Sequence, residues 1–104
     1  MSFGSYGLTY GISTTASSKS LAVPISGNAC RITNTSSSLI VYATFGVGSA
    51  TAVIPTADGA GSNCVVLPPN SSVVVDVPKG ANYVASIASG AGPTLVYFTP
   101  GVER

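Results

Sequence analysis

The chain has 104 residues, the length of one domain with a single modest core. It is 45% hydrophobic and only 7% charged, with four basic residues, three acids and no histidine, for a net charge of +1. A chain this apolar can offset its ordering entropy, which excludes disorder. No apolar run approaches the ~20 residues of a membrane-spanning helix. No cluster of Lys and Arg is present to neutralise a row of phosphates, so neither a membrane nor a nucleic acid is expected as a partner.

The opening stretch, MSFGSYGLTYG, lacks a basic segment followed by an apolar one, so no secretory signal is read and synthesis in a cytoplasm is expected. Residues 1–18 read as an extended arm and residues 19–104 as the folded domain. Gly4, Gly7 and Gly11 alternate with Phe3, Tyr6, Leu8, Tyr10 and Ile12, and glycine at this density disfavours a helix. Phe3, Tyr6 and Tyr10 are large contact groups, which makes them candidate interface residues. Two roles stay open for them: folding back over an open end of the domain, or reaching onto a neighbouring subunit.

Strands are expected at Leu21–Ile25, with Pro24 placing it at a sheet edge or bulge, then at Ala29–Asn34, at Leu39–Phe45 after a polar turn, and at Ala50–Pro55. A loop over Thr56–Ser62 follows. Residues 63–100 then read as a meander of Cys64–Leu67, Val73–Val77, Tyr83–Ala88 and Leu95–Thr99, each closed by a Pro- or Gly-containing turn. Among these turns Pro78-Lys79-Gly80 has type I composition. Val73, Val75 and Val77 should face inward with Asp76 outward. In Leu39–Phe45 the second face carries Ile40 and Tyr42, which calls for a cover, either the arm or another chain. Short strands at spacings of about 8 to 12 residues, with no credible helix, predict an antiparallel β-sandwich, jelly-roll-like, of about eight strands.

No chemistry announces itself. Histidine is absent, no serine sits in a nucleophile elbow, and Asp58, Asp76 and Glu103 are scattered over a loop, a strand face and a tail. Two cysteines do not make a zinc site, and the glycines near 46–48 and 59–61 precede no helix that could bind phosphate. An enzyme is not expected, and no catalytic, cofactor-binding or metal-binding residue is assigned. Cys30 and Cys64 could be buried thiols, or a disulfide formed in an oxidising medium and worth roughly 3–4 kcal/mol, or bridges to other subunits. The glycosylation sequons at Asn34 and Asn70 are taken as coincidental. Tyr42, Tyr83, Tyr97, Phe45 and Phe98 lie on strands, where packing is the expected role.

The stretches RITNTSSSLIVYATFG and LPPNSSVVVDVPKGANYVASIASGAGPTLVYFTPG together resemble small proteins encoded among the virion genes of tailed bacteriophages. The matching residues are Arg31, Ile32 and Asn34, then Phe45 and Gly46, then the run Val84–Gly90, and finally Thr94, Leu95 and Gly101. The resemblance covers residues 29–101 and leaves out the arm. It implies a structural virion protein, foremost a capsid decoration (cement) protein on the outer head surface that bridges major capsid subunits. Self-association as a homotrimer or other small oligomer goes with it. A tail, neck or head-fibre component is the alternative within that class, and a host-surface glycan-binding module the alternative outside it.

Overall fold

One long antiparallel hairpin, rolled up, accounts for the architecture. The computed structural model describes residues 3–5, 8–25, 27–55 and 64–103. Among them run nine strands: β1 (Phe3–Ser5), β2 (Tyr10–Thr14), β3 (Lys19–Ala22), β4 (Ala29–Asn34), β5 (Val41–Gly46), β6 (Val65–Leu67), β7 (Ser71–Asp76), β8 (Tyr83–Ala88) and β9 (Thr94–Glu103). The pairs are nested: β5 with β6, β4 with β7, β3 with β8 and β2 with β9, all antiparallel. Rolling then lays β9 against β4 and β8 against β5. The result is one sheet ordered β1-β9-β4-β7, with β2 also on β9, and a second ordered β3-β8-β5-β6. This is jelly-roll wiring, so the all-β sandwich expected from the sequence is the fold.

The topology corrects the meander. The strands β6, β7, β8 and β9 alternate between the two sheets and none pairs with another of the four. Their Pro- and Gly-containing connections carry the chain across the sandwich rather than turning it back on itself. The Pro78-Lys79-Gly80 turn also differs from the type I expectation. Ala81 donates its N–H to the Pro78 carbonyl at 3.1 Å, and Gly80 has φ +83°, the left-handed value that a type II turn requires at its third position. Leu21 does lie on an edge strand, but β3 ends before Pro24.

The boundary expected at residue 18 moves. The strand β2 pairs with β9 over its whole length, and Ile12 and Thr14 are buried. Residues 10–14 of the segment expected as an arm are built into the first sheet. Residues 3–5 continue along the far end of β9. Alternation explains why: Tyr10, Ile12 and Thr14 share one face and the glycine and serine between them the other.

Between the sheets Ile12, Cys30, Ile32, Val96 and Phe98 from the first sheet meet Val41, Ala43, Leu67 and Val84 from the second. The Phe98 ring is fully buried and meets Phe45 edge-on, with centroids 6.5 Å apart at 82°. Val75 on β7 and Val77 just after it pack against this core and Asp76 is exposed, as the alternation predicts, while Val73, expected inward, is 36% exposed on this edge strand.

Candidate functional site: the two outer sheet faces

The register fixes which side chains each sheet turns outward. On the second sheet Tyr42 stands opposite Val66 on one side and Ile87 on the other, forming a three-strand apolar row. Val66 is 52% exposed and the other two are half-buried. The next outward row holds Thr44 and Ala85, which are 8% and 0% exposed although they point away from the core.

The segment after β5 includes Ala50–Pro55, expected as a strand but carrying no strand pairing. Gly46 shares the outward face of β5 with Tyr42 and Thr44, and a Cβ built there would overlap the Ser49 carbonyl oxygen. The chain therefore doubles back over the outside of its own sheet. It is held by Gly48 N–H donating to Asn82 Oδ1 at 2.8 Å and Ala52 N–H donating to Ser18 Oγ at 2.9 Å, with Ala52 buried. This strap lies against the outer face at Gly46.

The outer face of the first sheet is of different character. Gly11, Tyr97, Thr33 and Ser72 form a row across four strands. A Cβ on Gly11 would sit 3.3 Å from Leu95 Cδ1 and 3.6 Å from Tyr97 Cδ1, so both side chains lie over the bare glycine. Hydroxyls fill the surroundings. Thr33 and Ser72 pair at 3.0 Å, and Thr9 and Thr99 at 2.9 Å. Arg31 and Asp76 bring charge to this face.

Of the interface residues expected from the sequence, Tyr42 is on the apolar row. Ile40 is half-buried beside it, with its N–H donating to Ser89 Oγ at 3.1 Å and its carbonyl accepting from Ser89 N–H at 2.9 Å. Tyr10 packs against the core instead, because it is on the inward face of β2. Phe3 belongs to β1 at the end of β9, and Tyr6 lies outside the described residues. Val66, Leu95 and Val53 are exposed apolar residues that the sequence did not single out. Val66 and Leu95 look like ordinary strand residues in the sequence, and only register tells inward from outward.

Cys30 and Cys64 are both free thiols, Cys30 buried and Cys64 half-buried. Burial pushes the Cys30 thiol from 9.0 up to about 12, against a smaller opposing effect of a hydrogen bond with the Thr99 backbone. Among the described residues no group of three His, Cys, Asp or Glu side chains is placed to hold a metal ion. Asn34 of the first sequon is 1% exposed, so its amide is sealed inside the fold. Compared with protein-family models, with curated proteins and with solved structures, the chain matches none.

Proposed function

We propose that this protein is a structural component of a particle shell, a decoration protein of a tailed-bacteriophage head whose partner is the major capsid protein. The observation that carries the reading is the apolar Val66–Tyr42–Ile87 row on the outer sheet face, with Val66 52% exposed. An apolar row with half-exposed members on a rigid sheet favours docking onto another protein surface. The low charge of the chain, 7%, fits a surface covered in an assembly better than one facing solvent alone. The resemblance over residues 29–101 supplies the phage context. Many copies around a shell make a modest individual interface sufficient.

The test is the ratio of this chain to the major capsid protein in purified virions, by quantitative mass spectrometry. Decoration requires a simple ratio to the capsid subunits. A dozen or fewer copies moves the protein to the neck, tail or fibre, and absence from the particle removes both readings. Tyr97, 36% exposed among hydroxyls and near Arg31, favours a second reading as a glycan-binding module. Glycan-array binding that is lost in Tyr97→Ala supports it, and no binding discards it.

A further inference from the structure

The strand β7 ends the first sheet, with β4 on one side and no strand among the described residues on the other. The hydrogen-bond phase of this edge can be derived. Val77 donates its N–H to the Asn28 carbonyl at 3.0 Å, in step with the β4–β7 register. Hydrogen-bonded pairs recur every second residue in an antiparallel ladder, so Val75, Val73 and Ser71 also spend their backbone groups on β4. A second bond agrees: Thr35 N–H donates to the Leu95 carbonyl, which commits the odd-numbered residues of β4 to β9 and leaves Cys30, Ile32 and Asn34 for β7. The N–H and C=O groups of Ser72, Val74 and Asp76 therefore point out of the sheet edge.

We infer that this edge pairs with the same edge of a second copy of the chain, antiparallel about a two-fold axis at Val74. In a continuous two-fold sheet the outward residues must face each other. Centring on Val74 sets Val74 against its counterpart and Ser72 against the partner subunit's Asp76. All three outward residues are then used on each side. Centring on Val73 or Val75 forfeits part of the ladder, because Asn70 has left the strand at φ 54° and Pro78 has no N–H.

The chosen register is also electrostatically acceptable. Asp76, the charge of the strand, meets a serine hydroxyl, and the two carboxylates stand about 13 Å apart along the ladder. The strand carries no lysine, proline or glycine of the kind that keeps edges from pairing. The pair would join the two first sheets into one across the dimer, and it does not depend on the decoration reading.

The experiment is sedimentation velocity on the full chain and on Val74→Lys, Val74→Pro and Ser72→Lys. The wild type should sediment as a dimer. Val74→Lys brings two ammonium groups face to face, and Val74→Pro deletes an outward N–H without touching the β4 ladder. Both should sediment as single chains with the far-UV spectrum of the wild type. Ser72→Lys, facing the partner subunit's Asp76, should stay dimeric. A wild type that is a single chain even at about 1 mM, a trimer, or a dimer that folded Val74→Lys and Val74→Pro leave intact overturns the inference.

Discussion

Asn34 on β4 donates from its side-chain amide to the carbonyl of Leu67 on β6, 3.1 Å away and in the opposite sheet. The same Nδ2 reaches the carbonyls of Leu39 at 2.9 Å and Pro68 at 3.2 Å, and its Oδ1 accepts the Ser36 N–H at 3.0 Å. One buried side chain thus ties both sheets and the turn between β4 and β5. Replacing it with alanine takes this partner from the buried Leu67 carbonyl and from the half-buried groups of Leu39 and Ser36, while the Pro68 carbonyl keeps the Ser71 hydroxyl. The expected loss is about 3 kcal/mol, within the range for unsatisfied buried polar groups. Asn34→Asp should lose nearly as much, because a carboxylate has no N–H to offer these carbonyls. Urea denaturation of both variants checks this.

The role of Asn34 shows where the sequence is legible and where it is not. The strands Ala29–Asn34 and Tyr83–Ala88 are visible in the sequence as alternating apolar runs bounded by turns. The inward set on β5 follows from the same period of two. The path between sheets does not, because a Pro-Gly turn that returns a strand and one that sends it across the sandwich have the same composition. The strap was read as a strand for a related reason. Ala50–Pro55 has strand composition, but Gly46 lets the chain fold onto the sheet's outside, where it meets a face rather than a free edge. The apolar Val66–Tyr42–Ile87 row was half legible: Tyr42 drew attention as an outward aromatic, while its two neighbours come from strands distant in sequence.

Thr14 on β2 and Ser86 on β8 form a second bridge between sheets, with hydroxyls 2.7 Å apart and both residues fully buried. Either Thr14→Val or Ser86→Ala alone removes this contact, leaving the Thr14 hydroxyl in the second case only its longer bond to the Ile12 carbonyl at 3.4 Å, and should destabilise by about 1–2 kcal/mol. The double variant removes both groups and should cost less than the sum. A coupling of about 1 kcal/mol in a double-mutant cycle is the expected outcome, and strict additivity would show that the contact is energetically idle.

Gly46→Ala tests the strap. The new methyl overlaps the Ser49 carbonyl and lies 3.2 Å from the Ala50 Cα, both backbone, so nothing flexible can give way. A loss of about 1–3 kcal/mol is expected, together with faster amide exchange at Ala52, whose N–H is held by Ser18. Gly11→Ala is the control. There the methyl meets the flexible ends of Leu95 and Tyr97 side chains on an open face, and stability should stay within about 0.5 kcal/mol of the wild type.

Cys30 sets a pH dependence whose sign follows from its burial. In the unfolded chain the thiol ionises near 9.0, whereas in the folded chain it stays protonated up to about 12. Between these values the unfolded state binds fewer protons than the native one, so stability falls as pH rises, by at most ~1.4 kcal/mol per unit. Below the lower value the group contributes no pH dependence. The informative quantity is the difference in slope between wild type and Cys30→Val, with Cys64 present in both. Urea denaturation from about pH 8 to about pH 11 should show a shallower decline in the variant, since valine has nothing to ionise. In the native wild type, alkylation near neutral pH should modify half-buried Cys64 and spare fully buried Cys30. Equal slopes, or alkylation of Cys30 at the rate of Cys64, would mean that the thiol is not sealed between the sheets.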